Sequence, residues 1–114
     1  MTVRQAIAQA NTLRPNTLSD EIKSEWLNRV DGEMAQMMGK TPPQNKWPED
    51  APLLMPHPHD ELYVLYLCAR IDYYNQETTE YQNDMESYNQ AVANARAWWR
   101  RENKPQGTQY VRAW

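Results

Sequence analysis

The stretch that decides the fold runs Asp60-Glu61-Leu62-Tyr63-Val64-Leu65-Tyr66-Leu67-Cys68-Ala69-Arg70-Ile71-Asp72-Tyr73-Tyr74. From Leu62 to Ala69 every residue is apolar or aromatic, which no other stretch of the chain matches. A segment apolar on all sides has to be surrounded by the rest of the protein, so it is the expected core element. A short run rich in Tyr and Val is also compatible with a buried strand. Length favours helix, because the pattern continues through Arg70, Ile71 and Tyr73 and outruns an ordinary strand. Asp60 is placed to cap that helix, and Pro56 and Pro58 prevent an earlier start.

Upstream, residues 41–58 hold six of the eight prolines (Pro42, Pro43, Pro48, Pro52, Pro56, Pro58) with Trp47 among them. A connection of that length is unusual in a compact domain. Its prolines limit wandering and Trp47 offers an apolar anchor, so an extended arm lying over a surface is expected, its own or a neighbour's. Before the arm, Ser19 reads as the N-cap of a helix whose first turn carries Asp20 and Glu21, where the helix dipole favours acids. Ile22, Trp26, Val30 and Met34, with Leu27, Met37 and Met38 beside them, give it a broad apolar face, and Gly39 is the expected C-cap. At the start of the chain, Thr2 and Gln5 have capping-box spacing and Val3, Ile7 and Ala10 share one face. That first helix is expected to end near Thr12, before the turn Arg14-Pro15-Asn16.

Downstream, Asn75-Gln76-Glu77-Thr78-Thr79 either continues the central helix or, preferably, turns the chain back with Thr78 or Thr79 as the next cap. Tyr81, Met85, Tyr88, Val92, Ala95 and Trp99 then recur at spacings of four and three, a heptad seam. A helix over 78–102 is roughly 37 Å long, which predicts an elongated arrangement. The predicted fold is all-α: four helices with a long antiparallel hairpin over residues 1–104, the arm at 41–58, and an extended tail at 105–114. Tyr110, Val111 and Trp114 suggest that the tail docks on something, since disordered tails usually carry fewer aromatics; the other reading is a tail that frays on the protein's own surface.

At 114 residues the chain is expected to be one domain. It has no Phe, but 5 Trp and 7 Tyr supply apolar area. Those residues carry a polar handle and suit half-wet surfaces such as subunit contacts. Net charge is only -3, but unevenly spread. Asp60, Glu61, Asp72, Glu77, Glu80, Asp84 and Glu86 face Arg70 alone in the middle, whereas Arg96, Arg100, Arg101, Lys104 and Arg112 dominate the end. Such halves can pair between neighbouring copies or form two ordinary solvated faces. A lone cysteine, Cys68, forms no intrachain disulfide and reads as a small buried hydrophobe. The polar N-terminus and the lack of a long apolar run lead to the expectation of a soluble protein made in the cytoplasm, away from membranes.

Catalytic chemistry is not indicated. His57-Pro58-His59-Asp60-Glu61 has metal-ligand residue types but no evident third ligand, and reads as a polar loop leading into the central helix. The glycines, Gly32, Gly39 and Gly107, form no phosphate loop, and Ser19, Ser24 and Ser87 lack the context of a nucleophile. No metal and no cofactor is expected. Trp98-Trp99-Arg100-Arg101 invites a nucleic-acid reading, against which stand a pI near 5.3 and the role of Trp99 in the seam.

Several motifs stand in a familiar order. Leu13-Arg14-Pro15-Asn16-Thr17 precedes Glu25-Trp26-Leu27-Asn28-Arg29-Val30-Asp31-Gly32. Then come Leu53-Leu54-Met55-Pro56 and Pro58-His59-Asp60-Glu61-Leu62-Tyr63. Ile71-Asp72-Tyr73, Glu80-Tyr81, Tyr88-Asn89 and an aromatic-Arg helix end before Pro105 complete the series. In this order, over about residues 2–105, the chain resembles the small helical head-tail adaptors (connectors) of tailed bacteriophages and prophages. The resemblance implies a non-enzymatic virion protein in the neck, made in the host cytoplasm. It implies a ring of identical copies below the portal protein that extends the DNA channel and docks the next neck or tail component. On that reading DNA passes through without specific binding.

Expected partner contacts, to portal or neighbouring copies, are Trp47, Tyr110, Val111, Arg112 and Trp114. Expected channel-facing acids are Glu77, Glu80, Asp84 and Glu86, where negative charge keeps packaged DNA from sticking. Two rival readings stay open: a helical oligomeric assembly factor for packaging or head completion, and a DNA-binding helical protein using Arg96, Arg100 and Arg101.

Overall fold

The computed structural model describes residues 1–44 and 46–103. Four helices carry the architecture: α1 (Val3–Leu13), α2 (Asp20–Met38), α3 (Glu61–Tyr74) and α4 (Thr78–Glu102). The fold is all-α and elongated, 18 Å across its shortest direction. Among the described residues the one β feature is an isolated bridge between Thr2 and Pro52.

The apolar stretch is a helix, and it is central. α3 packs against all three other helices. Leu62, Tyr63, Leu67, Ala69 and Ile71 lose all their solvent exposure there. α1 starts with the anticipated capping box: the Gln5 N–H donates to Thr2 Oγ1 and the Thr2 N–H to Gln5 Oε1. It buries Val3, Ala6, Ile7 and Ala10 on one face and ends at Leu13, one residue beyond the expected Thr12. α2 has both anticipated ends. Ser19 Oγ accepts from the Ile22 N–H at 3.2 Å, and Gly39 closes the helix in the left-handed region at φ 66°. Its inner face holds Trp26, Leu27, Val30, Met34, Ala35 and Met38. Ile22, expected on that face, is exposed, and the buried place one residue on belongs to Lys23.

Two caps differ from expectation. Asp60 occupies the N-cap position of α3 but makes no side-chain cap bond. The helix is entered from a backbone turn instead, with the Leu62 and Tyr63 N–H groups donating to the carbonyls of His59 and Asp60. The Asp60 carboxylate lies 3.6 Å from the Met1 amino group and 3.6 Å from His57 Nδ1. At α4 the N-cap is Glu77, not Thr78 or Thr79; its carbonyl accepts from the Tyr81 N–H.

Asn75, Gln76 and Glu77 reverse the chain between α3 and α4, which form the long hairpin. The Glu77 N–H donates to the Asp72 carbonyl at 2.9 Å, and Gln76 takes a left-handed conformation at φ 58°. The heptad seam of α4 turns inward: Tyr88 and Ala95 are buried, joined by Ala91, while Tyr81, Met85, Val92 and Trp99 are half-buried. Tyr66 and Tyr88 meet across the hairpin with ring centroids 5.1 Å apart.

The proline-rich arm lies on its own subunit. It runs back along the start of α1, where the Val3 N–H donates to the Ala51 carbonyl and the Leu53 N–H to the Met1 carbonyl, each at 2.9 Å. Leu53 and Met55 are buried in the common core. The segment expected as an extended tail, 105–114, lies outside the described residues.

Candidate functional site

Three polar joints hold the helices and the arm together, and between them they fix what the surface presents. The first binds the arm. Tyr63 on α3 donates its hydroxyl to Asp31 Oδ1 on α2, and the same hydroxyl accepts from the Met55 N–H at 2.8 Å. The Leu54 N–H points at both Asp31 oxygens, at 3.4 and 3.3 Å. Burial raises the Asp31 carboxyl above its ordinary value, and the hydrogen bonds from Tyr63 and Leu54 pull the other way. Burial and the neighbouring carboxylate together hold the Tyr63 phenol in its protonated, donating form.

The second joint ties the α1–α2 turn to the hairpin. Arg14 Nε donates to Asp72 Oδ1 at 3.0 Å, and Arg14 Nη2 donates to Asp84 at 3.0 and 3.3 Å. One guanidinium thus bridges two carboxylates that lie close together. Asp72 is only 1% exposed. Burial, followed by the Asp84 carboxylate, pushes its pKa up to about 7, while Arg14 draws it down. Cys68 lies near the same cluster. Burial pushes its thiol up to about 11, so it is an inert part of the core.

The third joint is Lys23. Its ammonium is buried against Asn11 Oδ1 at 2.6 Å and the Leu18 carbonyl at 3.0 Å, with Asp20 at 3.5 Å. No part of the apolar periodicity announced it.

Above these joints the exposed chemistry divides between the two ends of the hairpin. At the turn, Tyr73 and Tyr74 are 57% and 51% exposed. Trp26 stacks on Tyr74 with centroids 5.7 Å apart, and the Arg70 guanidinium lies over Trp26, Tyr73 and Tyr74 at 5.2, 5.7 and 5.6 Å. Beside them an open cavity of about 600 Å³ is walled by Tyr73, Tyr74 and Tyr81, with Asp72 and Glu77 among its lining residues. At the other end Arg96, Arg100 and Arg101 are exposed. Trp98 packs on His59 at 5.1 Å, and Lys40 lies over Trp99 at 5.6 Å; both tryptophans rest against the core. Both tryptophans beside these arginines are thus half-buried and already packed, not open for base stacking.

The residues singled out from the sequence fall in several places. Trp47 is half-buried against its own subunit, with the Arg4 guanidinium 4.7 Å over its ring and Arg4 also donating to the Pro48 carbonyl. Glu77, Glu80 and Glu86 are exposed. Asp84, grouped with them as a channel-facing acid, is instead paired with Arg14 and its side chain is 13% exposed. Tyr110, Val111, Arg112 and Trp114 lie outside the described residues. Among the described residues no three His, Cys, Asp or Glu side chains come together as a metal site, and no helix is long and apolar enough to cross a membrane.

Comparison with protein-family models, curated proteins and solved structures found no match to this chain.

Proposed function

We propose that this chain is a structural protein of a phage particle, a head-tail adaptor that assembles as a ring beneath the portal. One observation carries the reading. Polar residues from four of the motifs that resemble the adaptors pair with one another. Arg14 of the motif at 13–17 holds Asp72 of the motif at 71–73, and Asp31 of the motif at 25–32 is held by Tyr63 of the motif at 58–63. Asn16 fixes the intervening turn, accepting from the Leu18 N–H at 3.0 Å and donating to the Arg14 carbonyl at 2.8 Å. Motifs spread over the chain therefore describe one set of joints, as a shared scaffold requires. Support also comes from the surface, where aromatic and charged groups gather at two separate ends of one hairpin and suit contacts with large partners.

In this reading the body of α1 to α4 forms the ring wall, and the exposed Glu86 of α4 supplies negative charge toward the DNA channel. The segment 105–114, with Tyr110, Val111, Arg112 and Trp114, reaches the portal, and the opposite rim receives the next neck component. The test is light scattering on the purified protein with and without isolated portal. A ring-sized mass, alone or on the portal, is expected; a monomer that ignores portal overturns the proposal. Removing residues 105–114 is expected to abolish portal attachment while leaving the helical circular-dichroism signal intact.

A further inference from the structure

We infer that the aromatic, acidic turn between α3 and α4 receives the basic end of α4 from a second copy of the chain, so that copies associate head to tail. This rests on the ring reading and specifies its subunit contact. The cavity beside the turn joins three phenol rings to the exposed carboxylate of Glu77, and its lining contains no basic residue; Asp72, also in that lining, is buried and held by Arg14. Aromatic faces next to carboxylates select a cation, and a planar guanidinium best of all. Two of these tyrosines, Tyr73 and Tyr74, already take a guanidinium from their own subunit, that of Arg70.

The complementary group lies at the far end of the same helix. Arg96, Arg100 and Arg101 are exposed, with Glu33 of α2 beside Arg96 and Arg100 as an opposing charge and Glu102 following Arg101. Within one copy the two ends cannot meet, since Glu77 and Arg100 are roughly 35 Å apart along a straight helix. Neither Glu77 and Glu80 nor the three arginines form an ion pair with a described residue, whereas the bases near the turn are already engaged, Arg14 by Asp72 and Asp84 and Arg70 over the rings of Trp26, Tyr73 and Tyr74. Because the two patches differ, the contact is heterologous. It closes into a ring when the rotation between copies allows. Glu77 and Glu80 then face the neighbour, and Glu86 remains for the channel.

The test uses two full-length variants, Glu77→Lys/Glu80→Lys and Arg100→Glu/Arg101→Glu, in sedimentation velocity alone and in the presence of portal. All four positions are exposed, and circular dichroism checks that each variant keeps its helices. Each variant alone is expected to self-associate at least roughly tenfold more weakly than the parent. Mixed one to one, each still has one intact patch, or meets a reversed charge on the other, so the mixture regains association that neither variant shows alone. If the parent forms rings and both variants do so equally well, the turn is not the docking site, although the ring reading stands. If only removal of 105–114 breaks the contact between copies, the occupant is the tail and the inference is wrong. A parent that stays monomeric even with portal removes both readings.

Discussion

Asp72 shows how one buried group couples stability to acidity. Burial and the Asp84 carboxylate raise it from its ordinary 3.8 toward neutrality, against the pull of Arg14. A raised carboxyl binds its proton in the folded state at pH values where the unfolded chain has released it. Folding is therefore favoured below the ordinary carboxylate value and weakened as pH climbs from about 4 toward neutral. Asp72→Asn keeps an oxygen for Arg14 Nε and removes the titration. It is expected to flatten the dependence of the urea midpoint on pH across that interval; an unchanged slope counts against this role. Tyr63 offers a second case. Tyr63→Phe leaves the Met55 N–H without its acceptor and the buried Asp31 without its hydroxyl donor, a loss of about 1–3 kcal/mol. Denaturant titration should show that loss, and limited proteolysis should cut the arm near Leu53 to Pro56 faster than in the parent. Neither joint was visible as a joint in the sequence. Arg14 lies 58 residues from Asp72 and Tyr63 lies 32 from Asp31, and no local pattern links such pairs.

The elements themselves were far more legible, because helix ends are written in local chemistry. Ser19 and Gly39 bracket α2, Thr2 and Gln5 start α1, and the seam from Tyr81 to Trp99 gives α4 its inward face. Reading failed where a capping residue had a better partner elsewhere. Asp60 turns to the Met1 amino group, and the backbone turn from Asp72 to Glu77 starts α4 before Thr78 can cap it. Lys23 is hidden for a similar reason: Asn11 and the Leu18 carbonyl, both outside its helix, make its burial tolerable. Gly39 carries a clear expectation at this scale. Open space surrounds the position where a Cβ would sit, so only its φ of 66° resists substitution. Gly39→Ala should cost about 1 kcal/mol in thermal or chemical denaturation without altering the core; no loss would mean that the left-handed cap is dispensable.

Seen whole, the molecule is an inward-facing core with its outward chemistry sorted by position. α3 supports everything and, apart from Glu61 at its start, is exposed only in its last turn, where Tyr73 and Tyr74 join the acidic corner. α4 carries that corner to a basic end on the far side. Truncating the support should unsettle both ends at once: Leu67→Ala, at a fully buried site, is expected to lose about 2–5 kcal/mol and to weaken assembly only as far as folding is lost. In the proposed ring the α3–α4 turn of each copy meets the α4 end of the next. On the proposed function, this chain occupies the neck of a phage particle. An image reconstruction of particles carrying this protein tests it most directly. The account predicts a ring of four-helix subunits directly beneath the portal, with each α3–α4 turn against the α4 end of its neighbour; density for this chain elsewhere in the particle, or none in the neck, would contradict it.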